Sequence, residues 1–247
     1  MITHPILLLL LLGHVIGDFY LQWKTMAENK DTKCMWLFMH CLIYSLCMAT
    51  ILFFGIRLSW YWLFLVLALC ISHAAIDWAS RYITCKKFIV KQILHFAVII
   101  ILWHIWGGCL SIREYEYLRQ FLSGYEQSPA SLLLGIVGLL CIVKPVGELI
   151  DKNEIWDFNK GGNTSTPDDN NKDTGRMVGY LERILVFSLL INGEFAAIAF
   201  VLTAKSVARS LEIGRSKNPT SLSEYYIIGT LLSMTSVFII AFALGLI

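Results

Sequence analysis

His14 and Asp18 are four residues apart, and so are His73 and Asp77. At that spacing two side chains stack on one face of a helix. Imidazole with carboxylate is also a ligand pair that zinc, iron or manganese accepts. His40 and His95 add two more imidazoles, with Lys91 four residues before His95. All of these lie in or at the ends of apolar runs. An ionisable group in hydrocarbon costs several kcal/mol unless it is paired or wetted, so such groups face a bundle interior and mark function. His14, Asp18, His40, His73, Asp77 and His95 are therefore the expected metal ligands, contributed by four consecutive apolar segments. A proton relay or a structural ion-pair network uses the same residue types, and both readings stay open here. His4 and His104 lie near segment ends without carboxylate partners and read as interfacial.

A second set of charges lies near the C-terminus. Arg183, Glu194 and Lys205 are spaced by eleven residues, and on one continuous helix eleven residues is three turns plus about 20°, so they would form a stripe. Glu194 interrupts an apolar run just after Asn192-Gly193, which suggests a local break or a wet cavity. Lys144, beside Pro145, and Glu148 are candidate partners for it. Asp18, Asp77 and Glu194 are the expected catalytic carboxylates. Lys24, Lys91, Arg183 and Lys205 are the expected anchors for an anionic substrate such as a lipid phosphate.

The elements that must position these groups are membrane helices. Of the 247 residues 57% are hydrophobic and only 15% charged, whereas soluble domains are about a quarter charged. Apolar runs near the required 20 residues give an all-α polytopic bundle of about seven spans, near 5–22, 34–54, 59–80, 89–110, 131–149, 178–204 and 225–247. Residues 1–150 form an N-terminal five-helix bundle carrying the His/Asp site, 151–175 a flexible polar connector, and 176–247 the C-terminal helices with the charged stripe. The Arg113–Gln127 stretch reads as a short interfacial helix. Lys24, Lys30 and Lys33 after the first span, and Arg81, Lys86, Lys87 and Lys91 after the third, put those loops in the cytoplasm. Lys205 and Arg209 would break that rule if 178–204 crossed once, so that segment either re-enters or carries functional cations.

Several classes are set aside. A formal net charge of +2 with no dominant basic patch does not suit nucleic acid. The seven cysteines form no CxxC pair and read as packing residues. No Walker loop, dinucleotide glycine pattern or nucleophile elbow is present. Ile6–Leu12 lacks the basic flank and cleavage site of a signal peptide and is expected to be retained.

The stretch Gly13-His-Val-Ile-Gly-Asp-Phe-Tyr-Leu-Gln-Trp-Lys24, then Glu28-Asn-Lys30, His40 and His73-Ala-Ala-Ile-Asp77, resembles a bacterial integral-membrane family catalogued as a domain of unknown function. The resemblance extends to Gly175–Arg183, Ala204-Lys-Ser206 and Glu224–Ser233. It implies a multi-pass protein of the bacterial inner membrane. More distantly, the N-terminal histidines and aspartates resemble those of YdjM-type membrane-bound metal-dependent hydrolases. The expected function is a membrane-embedded metal-dependent hydrolase acting on a phosphate ester or another lipid-linked bond, with zinc foremost and manganese or iron admissible. Its expected partners are the bilayer, a lipid-phosphate substrate and a second copy of the chain. The alternatives are a proton- or cation-coupled transporter, with Glu194 as coupling carboxylate, and a membrane component of a sensing or defence system.

Overall fold

The computed structural model describes residues 4–83, 86–113, 129–151, 169–215 and 219–247. The described residues are helical throughout, apart from turns and one isolated antiparallel bridge. The helices are α1 (Pro5–Val15), α2 (Lys24–Asn29), α3 (Cys34–Gly55), α4 (Trp60–Ala79), α5 (Lys87–Trp106), α6 (Pro129–Asp151), α7 (Asp169–Ile191), α8 (Phe195–Arg215) and α9 (Pro219–Ala243). Among the described residues five segments are long and apolar enough to cross a membrane: Cys34–Gly55, Trp60–Tyr82, Lys87–Cys109, Pro129–Asp151 and Leu222–Ala243. Pro5–Tyr20 is apolar but shorter. The chain is a polytopic helical membrane protein.

The chain divides into two compact units, one ending at Leu140 and one running from Cys141 to Ile247. The division falls inside α6, before the polar stretch expected to separate the halves. Of that stretch, residues 152–168 lie outside the described residues, and Asp169–Gly175 are already helical as the start of α7. The expected interfacial helix at 113–127 lies, beyond Arg113, outside them too.

In the first unit α1 packs on α3, α3 on α4, and α4 on α5. The core between them is Leu10, Tyr44, Met48, Leu52, Leu65, Leu69 and Ile99, all nearly inaccessible. The contact of α1 with α3 is close because Gly13 and Gly17 face it, where an added Cβ would lie 2.7 Å from Met48 Sδ and 2.8 Å from the Tyr44 ring. Two small residues four apart are how membrane helices bring their backbones together. After Val15 the helix widens into one π-type turn, Ile16–Tyr20, closed by Leu21 N–H donating to the Ile16 carbonyl at 3.0 Å. At the far end of the unit, Arg57 N–H donates to the Ser111 carbonyl at 2.8 Å, and Arg113 N–H to that of Gly55 at 3.0 Å.

The run 178–204, left open between a single crossing and a break at Asn192-Gly193, is a helical hairpin. Gly193 takes φ of 73°. Its N–H donates to the Leu190 carbonyl at 3.1 Å, and Glu194 N–H to that of Leu189 at 2.9 Å. This pair of bonds with a left-handed residue is the Schellman stop, which glycine forms without steric cost. The break at Asn192-Gly193 is therefore a chain reversal. Arg183 and Lys205 lie on different helices, α7 and α8, and the single stripe does not form.

Candidate metal centre

Four helices of the first unit alternate in direction, so the C-terminal ends of α1 and α4 share a membrane face with the N-terminal ends of α3 and α5. Asp18 lies in the π turn after α1, His40 in the second turn of α3, His73 and Asp77 near the end of α4, and Lys91 and His95 early in α5. The same face carries the loops with Lys24, Lys30, Lys33, Arg81, Lys86 and Lys87, while Arg57 and Arg113 lie at the other. The cluster thus sits at the end of the bundle that carries most of the basic loop residues.

One ligand atom each from Asp18, His40, His73 and Asp77 lies within 4.8 Å of the others, and all four residues are buried. His40 Nε2 is 3.2 Å from Asp18 Oδ1 and 3.2 Å from Asp77 Oδ2. It is also 3.2 Å from His73 Nε2 and 3.3 Å from Lys30 Nζ. One ring nitrogen either donates one proton or offers one lone pair, so it cannot serve four such neighbours. An ion with ligand bonds of about 2.0–2.1 Å in tetrahedral array sets its ligand atoms about 3.3–3.4 Å apart. The spacing around His40 fits that array.

The two carboxylates are divided in the same way. Asp18 Oδ2 accepts from the Gln92 amide at 2.7 Å, and Asp77 Oδ1 lies 2.9 Å from Lys91 Nζ and 3.0 Å from His95 Nε2. The remaining oxygens, Asp18 Oδ1 and Asp77 Oδ2, are buried with no hydrogen bond. The ammoniums approach these two oxygens no closer than 3.5 Å. Each carboxylate is held by one oxygen and turns the other, without a hydrogen bond, toward His40. Buried acceptors are rarely left so, because an unmet one costs about 1–3 kcal/mol.

Around this tetrad lies a supporting layer. Gln92 carries Asp18 on its amide, and its carbonyl oxygen lies 3.1 Å from His14 Nε2, whose Nδ1 is 3.4 Å from the Tyr44 hydroxyl. Tyr44 stacks on His73, and His73 on His95, with ring centroids 3.5 and 4.3 Å apart. Nδ1 of both His40 and His73 is buried without a hydrogen bond, so packing rather than a second polar partner orients the His73 ring. Lys30 Nζ also donates to Gln22 Oε1, while its backbone carbonyl accepts from Arg81 Nη2 at 2.8 Å. Burial, and then the neighbouring Lys91 ammonium, push the Lys30 pKa below its ordinary value against the opposing pull of Asp18 and Asp77.

The expected ligand set is thus sorted by the packing. Asp18, His40, His73 and Asp77 converge, His95 touches the centre through Asp77, and His14 stands behind Gln92. The regular helix α4 keeps His73 and Asp77 on one face, with Nε2 and Oδ2 3.8 Å apart. His14 and Asp18 also share a face, but Gln92 stands between them, bonded to both, and only Asp18 reaches the tetrad. Lys91 is in the cluster as expected. Lys24 is exposed at the start of α2, outside it, and Lys30 takes the position at the carboxylates. Spacing did not single out Lys30, Gln92 or Tyr44; the basic loop for Lys30 and the Gly13/Gly17 pair facing Tyr44 were the available signals.

The other expected site residues belong to the second unit. Glu194 is exposed in the turn between α7 and α8. Lys205 forms an ion pair with Glu182. The Arg183 guanidinium is buried, donating from Nε to the Ile142 carbonyl at 2.6 Å and from Nη2 to that of Val143 at 3.2 Å, and lying over the Tyr180 ring. Both carbonyls lie in α6 just before Pro145, and Nη1 also lies 3.4 Å from the Ser233 hydroxyl, so the guanidinium is held within the second unit.

No curated protein and no solved structure matches the chain, and no relationship to the YdjM-type hydrolases is shown. The segment that builds the cluster does have relatives: residues 6–120 match the family described as protein of unknown function (DUF3307).

Proposed function

We propose that the cluster is the divalent-metal centre of a membrane-embedded hydrolase acting on a phosphate ester or another lipid-linked bond. The observation that carries the reading is the pair of buried carboxylate oxygens without a hydrogen bond, Asp18 Oδ1 and Asp77 Oδ2, facing the crowded His40 Nε2. A cation among them satisfies both oxygens and removes the conflict over one imidazole proton. His2Asp2 is a nitrogen and oxygen set that suits zinc, with manganese and iron next. Such an ion lowers the pKa of a coordinated water and polarises a phosphoryl oxygen. Water then adds across the P–O bond, releasing a phosphate and an alcohol. His14, Gln92, Tyr44 and His95 hold the ligands in place, as outer partners of metal ligands do. The basic face near the site favours anionic headgroups, and the apolar helices give a tail a place to lie.

The test is elemental analysis of the detergent-purified protein beside His40→Ala. Near-stoichiometric metal that is lost in the variant supports the centre, and release of phosphate from phosphatidic acid in mixed micelles supports the activity. Absence of metal from the wild-type protein after incubation with zinc and manganese would sink the reading.

A second reading has its own observation. Lys30 and Lys91 together balance the charges of Asp18 and Asp77 with no metal present, so the same groups can serve as a proton or cation path. Proteoliposome proton flux that persists in the presence of a chelator and is lost in Asp77→Asn would favour it.

A further inference from the structure

Lys30 and Lys91 are hard to account for by a metal alone. Both side chains are 9% exposed, and they come from different elements, the turn after α2 and helix α5. Lys30 Nζ lies 3.6 Å from Asp18 Oδ1 and 3.5 Å from Asp77 Oδ2. Lys91 Nζ lies 3.8 Å from Asp18 Oδ1 and 2.9 Å from Asp77 Oδ1. Each ammonium raises the electrostatic cost of placing a divalent cation between those carboxylates. With two carboxylates and two ammoniums the cluster is neutral, and a divalent ion brings it to +2. In a buried site that excess needs a counter-ion of matching charge.

We infer that Lys30 and Lys91 form, together with the metal, a subsite for a tetrahedral dianion, the phosphate group of a monoester. The inference rests on the metal reading and adds to it the substrate class. A phosphodiester carries one charge and leaves the site at +1, whereas a monoester above its second pKa carries two. Ammoniums suit this role because they meet phosphate as point charges with rotatable donors. Lys30 stands outside the apolar spans, in a turn beside the short α2, with its backbone pinned through Arg81. A monoester headgroup at the membrane face and free phosphate share the chemistry.

The experiment uses the full chain in detergent, loaded with one equivalent of zinc and freed of excess. Calorimetric titration with inorganic phosphate above about pH 7, where it is a dianion, is compared with dimethyl phosphate. The dianion is expected to bind about tenfold tighter or more, and only with zinc present. Phosphatidylcholine vesicles doped with phosphatidic acid or with phosphatidylglycerol then separate the sources. Preferential capture by the phosphatidic acid vesicles assigns a lipid monoester, and calorimetric binding without such capture assigns free phosphate; both support the subsite. Lys30→Gln and Lys91→Gln are expected to move two affinities in opposite directions, tightening zinc in a chelator competition and weakening phosphate about tenfold or more. Zinc-loaded protein that binds monoanion and dianion alike overturns the subsite and leaves the metal centre standing. Protein that takes up no zinc overturns both.

Discussion

Lys91 holds one oxygen of Asp77, with Nζ 2.9 Å from Oδ1, and so turns the other, Oδ2, toward His40 at 3.2 Å. The ion pair works as a positioning device. It fixes the carboxylate by the oxygen that the centre does not use.

Asp77→Asn keeps the shape but removes the charge, and it puts an amide where Lys91 or the centre needs an acceptor. Metal affinity is expected to fall by more than the ten- to hundredfold that loss of an outer partner costs. Competition against a zinc chelator measures it, with circular dichroism reporting that the helices remain.

His40 and His14 are expected to separate. His40 touches every member of the tetrad except itself, whereas His14 reaches Asp18 only through Gln92. His40→Ala should abolish stoichiometric metal. His14→Ala should retain it, with affinity reduced about ten- to hundredfold. Equal loss in both variants would show that His14 is a direct ligand after all.

Gly17→Ala tests whether close approach of α1 to α3 sets the site. The new Cβ would lie 2.8 Å from the Tyr44 ring, which is itself stacked on His73 and cannot yield freely. A loss of about 1–3 kcal/mol is expected, as for overpacking elsewhere, together with weaker metal binding. Gly13→Ala meets the flexible end of Met48 instead, so its thermal midpoint in detergent should fall less.

Arg183 was a natural candidate for holding an anion, but its donors reach the Ile142 and Val143 carbonyls and the Ser233 hydroxyl. Arg183→Met should destabilise the protein by about 1–3 kcal/mol, since it removes the buried hydrogen bonds of the guanidinium to Ile142, Val143 and Ser233. Its metal content should be unchanged. Phosphate affinity that drops while the melting temperature holds would return Arg183 to the substrate.

Much of the site was legible because the bilayer makes polar residues conspicuous. Asp18, His40, His73 and Asp77 stand out in apolar runs, where an ionisable side chain is costly without a reason. Lys30 did not stand out, since a lysine in a polar loop is ordinary until the fold turns it inward. The C-terminal stripe misled because periodicity assumes a continuous helix, and Gly193 ends that helix one residue before Glu194.

The sequence by itself determined that the chain is helical and membrane-embedded, and that four apolar segments carry histidine or aspartate, because hydropathy and cost in hydrocarbon are properties of residues taken singly. Which of those groups meet was decided only in three dimensions. Gln92 came between His14 and Asp18, the two glycines let α1 close on α3, and the alternating helices brought the ends that carry the cluster to one face. Those outcomes depend on packing between segments distant in sequence, which no local spacing encodes.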